Sequence, residues 1–465
     1  MIEPVQQVLT VVQMREAEAV LIRAGSNVDA LMQVAGRGAA DWVWRLAAHR
    51  TVTVLCGPGN NGGDGYVIAE AMRTRGGQVR VIAALEPKTD AARNARALYQ
   101  GEVLGPEAEA HGDVLVDCLF GSGLVRPLSD ELFALLTRLA AHHHRLIAID
   151  LPSGVESDSG VALNPGLPEY LLTIALGAWK QAHFLMPAAA AMGQLRLVGI
   201  GCAPVSGAPG VVARPTVATP EAETHKYRRG LLAVVGGAMP GAAELACAAA
   251  MGAGAGYVRL ACDGRAVQPR AAALVVDALP LGQSLADDRI SATLVGPGLG
   301  RDAAARGRLE AALASGHRLV LDADALVLLR KGDQPGAGVA TPHDGELAAL
   351  ERAFTLDGIG TKLERARALA AATGLVVLAK GPDTVIAAPD GRAAFAHRAP
   401  VWLSTAGTGD VLAGIVASRL ATGLAPYEAA REAVWLHGEA ARLTGKAFSA
   451  DDLAAHVRPA FAACL

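Results

Sequence analysis

The stretch TVTVLCGPGNNGGDGYVIAEAMR, Thr51 to Arg73, decides the fold. An apolar, β-branched run reads as a buried strand, a glycine-rich turn follows, and helical periodicity takes over at about Gly65. Strand, glycine turn and helix in that order open a parallel α/β unit. Working outward, further strands are predicted at QVRVIAAL from Gln78, DVLVDC from Asp113 and RLIAID from Arg145, with helical stretches at Gly65–Arg75, Asp90–Gln100 and Ser129–Ala141. Upstream, Thr10 and Gln13 form a capping box for a helix through Arg23, and Asn27 can cap a second helix running toward His49. Such alternation predicts a parallel sheet covered on both faces, with ligands at the carboxyl ends of its strands.

The piece Cys202–Glu223 holds four prolines and reads as a linker. A second series then begins with LLAVVGG from Leu231 and continues with YVRL from Tyr257, TLVG from Thr293, RLVLD from Arg318 and LVVLAK from Leu375. Helical runs at Val411–Leu420, Pro426–Thr444 and Asp451–Ala462 end it. Two domains are expected, residues 1–210 and 220–465, within a chain of 465. A net charge of −3 gives no field for collecting nucleic acid, so small-molecule partners are expected. The six cysteines form no CxxC pair, which argues against a zinc site and for a reducing compartment. The start MIEPVQQVLT lacks the pattern of a signal peptide, and the uncharged stretch Leu197–Ala213 is broken by Pro204 and Pro209. No membrane association is expected; the predicted location is cytoplasmic, and a homo-oligomer is allowed.

Gly57, Gly59 and Gly62 satisfy GxGxxG, and Glu86 after the next strand could hold a ribose; alone, the same glycines also fit a plain strand-to-helix turn. Asn60, Asn61 and Asp64 sharpen the reading, because an Asp at a helix start repels a bare pyrophosphate unless a cation or a polar ligand edge sits there. Two neighbouring strand ends supply Asp117 with the loop Gly121 to Pro127, and Asp150 with Ser153. These are hard ligands for an alkali or alkaline-earth ion, and Asp150 is also an acid/base candidate; each Asp singly also fits a turn or cap.

Near the end stands STAGTGDVLAGI, Ser404 to Ile415. Backbone N–H groups at Gly407 and Gly409 can face an anion at a helix start, and Asp410 can take a proton from a hydroxyl under phosphorylation. The pieces GPGLG (Gly296–Gly300), DADAL (Asp322–Leu326), TPHDGE (Thr341–Glu346) and KGPDT (Lys380–Thr384) also follow strands or open helices. Lys380 suits a nucleotide phosphate and Glu346 a metal-bound water; His343 also fits a turn residue, and DADAL fits a helix cap as well as a ligand set.

Taken in order, VVQMREAEAVLIRAG, DALMQVAGRGAA, GPGNNGGDGYVIA, DCLFGSGL and DLPSG resemble the epimerase domain of the NAD(P)H-hydrate repair enzymes. HKYRRG, GPGLG, DADAL, TPHDGE, KGPDT and AGTGDVLAGI resemble the ribokinase-like dehydratase domain of the same family, with Tyr227 where the family has glycine in HKG. The resemblance implies a Rossmann-like three-layer α/β domain fused to a ribokinase-like α/β domain. It implies that hydrated NADH or NADPH meets Asn60, Asn61, Gly62, Gly63, Asp64, the loop Gly121, Ser122, Gly123, Leu124, Val125, Arg126 and Pro127, and Asp150 as proton-transfer residue. A potassium ion is implied at Asn61, Asp117 and Ser153, and Lys180 falls at the family's lysine position. In the second half it implies the hydrate at Ala242, Gly298, His343 and Asp410, and the adenine nucleotide at Lys380, Gly381, Pro382, Asp383, Thr384 and Gly409. Mg²⁺ and ADP or ATP are the implied cofactor and co-substrate, with ADP favoured. Phosphorylation would turn the C6 hydroxyl of the hydrated ring into a leaving group, and the epimerase would supply the epimer that the dehydratase takes. The rival expectation is a small-molecule kinase carrying a non-catalytic Rossmann-like binding module.

Overall fold

The computed structural model describes residues 2–265 and 267–465, so Met1 of the expected first domain lies outside it. The chain divides into two compact units after Gly210. In the first, α1 (Val11–Arg23) and α2 (Val28–Ala47) precede β1 (Val52–Cys56), α3 (Asn60–Thr74), β2 (Val79–Ala83), α4 (Asp90–Leu98) and β3 (Val103–Leu104). After them come β4 (Gly112–Cys118), α5 (Asp130–Ala141), β5 (His143–Ile149), β6 (Leu172–Leu176) and β7 (Gln194–Val198). The strands pair in the order β3-β2-β1-β4-β5-β6-β7, all parallel, which is a Rossmann-type order extended by one strand. Alternation of side chains along each strand makes the three layers. Val52, Val54, Cys56, Val114 and Val116 join the core under α1–α3, whereas Leu55, Leu115 and Ala148 join the core under α5.

The second unit is built the same way. After β8 (Gly210–Val211) come β9 (Leu231–Val235), α6 (Pro240–Gly252), β10 (Tyr257–Ala261), β11 (Val275–Asp277), α7 (Leu281–Ser284) and β12 (Ile290–Val295). The chain continues through α8 (Ala303–Ala314), β13 (Arg318–Leu321), α9 (Asp324–Leu328), β14 (Gly338–Ala340), α10 (Asp344–Phe354), α11 (Lys362–Thr373), β15 (Val376–Ala379), β16 (Val385–Ala387) and β17 (Ala393–Phe395). Three helices close it: α12 (Thr408–Ala421), α13 (Pro426–Thr444) and α14 (Ala450–Ala462). The order is β11-β10-β9-β12-β13-β14-β15-β16-β17-β8, parallel from β11 to β15 and antiparallel for β16 and β17. Leu232 and Val234 face the core of α6 and α12–α14; Leu231, Ala233 and Val235 face that of α8–α11. Among the described residues no helix is long and apolar enough to cross a membrane.

The two α/β architectures are as expected, with three differences. The first is that α3 begins at Asn60, five residues before the predicted start, so Asn60 to Asp64 form helical turn and not loop. Two glycines oppose a helix there by propensity, but the space is too narrow for anything else: Gly62 abuts the Gly57 backbone and Gly63 abuts Met32 and Ala92. Part of the expected linker is, secondly, ordered strand, since Val211 and Val212 are buried and the Val212 N–H donates to the Phe395 carbonyl. Finally, the short strands β3, β6, β7, β11, β14, β16 and β17 were not among those predicted.

Gly57 ends β1 with its Cα pressed against the Leu119 carbonyl, leaving no room for a Cβ. Gly57→Ala is therefore expected to destabilise the first unit by about 1–3 kcal/mol. An unchanged urea midpoint for that unit's unfolding would contradict this packing.

Candidate active sites

Reversal of strand order between β1 and β4 opens a crevice at their carboxyl ends, and a cavity of about 930 Å³ lies there. Asn60, Asn61, Asp64, the loop Gly121 to Pro127 and Asp150 line it, as expected; Gly62 and Gly63 are buried and not among the lining residues. Glu86, the candidate ribose ligand, is exposed and is not among the lining residues, whereas Leu85, Lys88 and Thr89 of the same segment do line the cavity. Helix α1, positioned by its Thr10–Gln13 capping box, contributes Met14, Arg15, Glu18 and Ile22 to the wall. The capping box was legible in the sequence, but the face that α1 turns to a ligand was not.

Asp150 follows β5 in a left-handed conformation, φ 65°, and is buried. Its Oδ1 accepts from Lys180 Nζ at 2.5 Å and its Oδ2 from the Ser122 N–H at 2.9 Å; Lys180 Nζ also donates to the Leu176 carbonyl at 2.7 Å. Burial pushes the Asp150 carboxyl up, and the Lys180 ammonium outweighs it, so the group ends below its ordinary range and is ionised. Asp64 has no such partner. It is buried, and burial together with the Asp150 and Glu18 charges pushes it well above the carboxylate range. Glu18 is raised too, by burial first, with Lys180 acting in the opposite sense.

Asp117 and Ser153 lie behind the Phe120–Gly121 loop. Asp117 is fully engaged: it accepts from the Leu119 and Ser153 N–H groups at 3.0 Å each, from Ser153 Oγ at 2.7 Å and from the Tyr170 hydroxyl at 2.6 Å. Asn61 is the opposite case, since its buried amide has no partner for either Oδ1 or Nδ2. A Cβ on Gly121 would sit 3.0 Å from Asn61 Oδ1 and 3.1 Å from Asp150 Oδ2, which places both groups against one backbone.

In the second unit the carboxyl ends of β12 to β15 again carry the chemistry. Asp322 Oδ1 accepts from Thr341 Oγ1 and from Lys380 Nζ, both at 2.6 Å, and Lys380 lies 3.9 Å from Glu346. Asp324 takes the Gly300 N–H and Arg301. Gly298 and Ala242 come together where the Met239 N–H donates to the Gly298 carbonyl at 2.9 Å. His343 is exposed and caps α10, its Nδ1 accepting from the Gly345 and Glu346 N–H groups, while Glu346 Oε2 takes the His343 N–H at 2.9 Å. In the KGPDT turn, Gly381 and Pro382 are exposed, Thr384 Oγ1 bonds back to Gly381, and Asp383 pairs with Lys362 at 2.6 Å. Gly409 lies beside Lys380, and Asp410 stands in the first turn of α12. Burial and then the neighbouring Asp322 raise the Asp410 carboxyl to about 6, against the lowering effect of Lys380.

The HKY segment is not part of this edge. Lys226 lies over the Tyr227 and Tyr257 rings at 5.1 and 4.8 Å, at the amino ends of β9 and β10, whereas Asp410 and its partners belong to the carboxyl ends. The replacement of glycine by Tyr227 is therefore remote from the acidic cluster.

Residues 28–182 match the family described as YjeF-related protein N-terminus, and residues 232–460 match NAD(P)H-hydrate dehydratase. A bifunctional NAD(P)H-hydrate repair enzyme Nnr of Synechocystis is 32% identical over 94% of this chain and 91% of its own. The chain belongs to the bifunctional NAD(P)H-hydrate repair enzymes. The Nnr of Moorella thermoacetica is 34% identical over 87% and 86% of the two chains. A solved ADP/ATP-dependent NAD(P)H-hydrate dehydratase of Bacillus subtilis, co-crystallised with ATP and Mg²⁺, is 28% identical over 54% of this chain and 95% of its own, with a TM-score of 0.45. Membership rests on relatives that span both halves, which disfavours the kinase-plus-scaffold alternative.

Removing the cation beside Asp150 leaves a buried carboxylate without compensation. Lys180→Met is expected to cost about 3–5 kcal/mol at neutral pH. Because Asp150 would then titrate above its ordinary pKa, the cost should shrink as pH falls and the group takes a proton. Urea unfolding of the variant across pH, with the parent beside it, tests both the size and the sign.

Proposed function

We propose that the chain restores hydrated NADH and NADPH in two steps, the first unit interconverting the C6 epimers and the second dehydrating one of them. The observation that carries the reading is the pair of oppositely tuned carboxyls: Asp150, held ionised by Lys180, and Asp410, raised to about 6. C6 of the hydrated ring bears both the hydroxyl and the ring nitrogen. Inverting it means breaking one bond at C6 and remaking it from the other face, with a proton moved off and onto oxygen. Asp150 is the acceptor at that oxygen, Lys180 on Oδ1 and the Ser122 N–H on Oδ2 fix the orientation of its carboxylate, and the Gly121 to Pro127 loop with Asn60, Asn61 and Asp64 orients the nucleotide. The cavity size suits this, since ligand pockets run to roughly 300–1,000 Å³.

Potassium fits the orphaned Asn61 amide, with Ser153 and Asp117 supporting the same loop; the four bonds on Asp117 make it the most committed member of that set. A bound K⁺ supplies positive charge against the carboxylates facing the cavity.

In the second unit the hydrate is assigned to Ala242, Gly298, His343 and Asp410, and the nucleotide to Lys380 through Thr384 and Gly409. Asp410 takes the hydroxyl proton while the start of α12 and Lys380 stabilise phosphate charge. The C6–O bond then breaks as phosphate leaves with its electron pair, C5 gives up a proton, and the C5–C6 double bond returns. Among the described residues no three His, Cys, Asp or Glu side chains form a metal cage. That suits Mg²⁺, which is held chiefly by nucleotide phosphates and one or two carboxylates, with Glu346 placed to hold one of its waters; when bound it neutralises phosphate charge. ADP is the proposed donor, giving AMP and phosphate. The six cysteines are free and buried, in keeping with a cytoplasmic setting.

Incubating the protein with hydrated NADH and Mg²⁺ plus ADP or ATP, and following the reduced-nicotinamide absorbance, tests the whole. Accumulation of a phosphorylated alcohol without loss of hydrate would overturn it. Asp410→Asn is expected to abolish dehydration and spare epimerisation. In the parent, dehydration kcat/KM should fall as pH drops below about 6, because protonated Asp410 cannot accept the hydroxyl proton; a flat profile through that range would remove Asp410 from the role.

A further inference from the structure

His183 lies three residues beyond Lys180, almost wholly buried, in a short 3₁₀ turn spanning Gln181–His183. Its Nε2 lies 2.8 Å from the Asp150 carbonyl, and the Lys180 N–H lies 2.9 Å from its Nδ1. A neutral imidazole has one donor and one acceptor. Here the Nε2–H donates to the main chain of Asp150 and the bare Nδ1 accepts from the main chain of Lys180. Those are the two residues whose side chains form the buried pair at 2.5 Å. Trp179 closes on the ring edge-on, with centroids 5.4 Å apart. Burial, then the Lys180 charge, depress the ring to about 4, so it stays neutral through the neutral range.

The left-handed backbone at Asp150 gives this bond its meaning. At φ 65° an Asp is tolerated but not favoured, and the peptide carbonyl that the conformation turns inward is the group His183 holds. The Asp150 N–H is held separately by the Ile174 carbonyl at 2.7 Å. With both ends of the residue fixed, its carboxylate is aimed past Gly121 into the cavity.

We propose that His183 is a positioning residue for epimerisation, holding the Asp150 and Lys180 backbones at the spacing that points the Asp150 carboxylate at the substrate hydroxyl. The proposal rests on the proton-transfer role assigned to Asp150. It is tested in the full chain with His183→Phe, which keeps the ring volume; His183→Gln, whose amide N–H reaches the Nε2 position; and His183→Asn, which reaches only the Nδ1 position. Since small misplacement of a reacting group costs one to two orders of magnitude, His183→Phe and His183→Asn should lower epimerase kcat about tenfold or more with KM within about twofold, and His183→Gln should stay within about threefold. Dehydration of the S epimer by the same samples reports that the second unit is intact, and near-ultraviolet circular dichroism reports packing in the first. Equal rates in all three variants, or a folded His183→Gln as slow as His183→Phe, would overturn the proposal. If His183→Phe does not fold, the Gln-to-Asn ratio decides: a clear excess for Gln supports the donor role, and equality rejects it. Asp150→Asn separates the two levels, because full epimerisation by that variant would defeat the underlying assignment, whereas its inactivity beside a fully active His183→Phe would defeat the His183 role alone.

Discussion

Two glycines set the same constraint in both units. Gly57 after β1 lies directly against the Leu119 carbonyl after β4, and Gly296 after β12 lies directly against the Asp322 carbonyl after β13. Neither place can hold a Cβ. In each sheet the loops leaving two adjacent parallel strands must cross within backbone contact, and that crossing brings the next residues to one edge. From the first crossing come Asn60, Asn61, Asp64 and Gly121; from the second come Gly298, Asp322 and Asp324. A methyl group at either glycine would push the strand-end loops apart and with them the groups that face the ligand.

The two jobs proposed for Asp150 and Asp410 fall to one residue type because the surroundings differ. Both Asp150 and Asp410 are removed from water, which by itself raises a carboxyl. Asp150 has an ammonium in direct contact and a backbone N–H on the other oxygen, so the charged form wins. Asp410 has Lys380 nearby, but Lys380 is itself held at 2.6 Å by Asp322, and the Asp322 charge acts against ionisation. An ionised, tightly held carboxylate suits repeated proton exchange at a hydroxyl in either direction. A carboxyl poised near 6 suits one-way acceptance during phosphoryl transfer at neutral pH.

Strands β1, β4, β5, β9 and β13 were legible because each carries a continuous apolar run, as a central parallel strand buried on both faces needs no polar alternation there. Cap signals were equally legible: Thr10 with Gln13 and Asn27 stand where they were expected. What the sequence concealed was set by tertiary contact. The helix start at Asn60 depends on packing against Met32 and Ala92, residues far from it along the chain, and two- or three-residue strands such as β3, β14 and β17 carry too little pattern to declare themselves. Asp150 and Asp410 announced themselves by position after a strand and in a helix's first turn. The partners of Lys180 and Thr341 did not show, because pairing across 30 and 19 residues leaves no local mark.

The charge balance of the first cavity carries a last consequence. Glu18 and Asp64 both feel the Asp150 charge there, and among the described residues the cation ion-paired with any of the three is Lys180, committed to Asp150. Arg15, Lys88 and Arg126 line the same cavity, and Arg15 acts on Glu18 in the sense that favours its ionised form. Deeper in, the compensation must come from protonation of Asp64 and Glu18, which burial already favours, or from a cation at the unpartnered Asn61 amide. These two remedies oppose each other, since a cation beside Asn61 would favour the ionised carboxyls that protonation removes. A cation at the proposed potassium site would therefore lower the number of protons the cavity holds, and with it the charge that Asp150 faces.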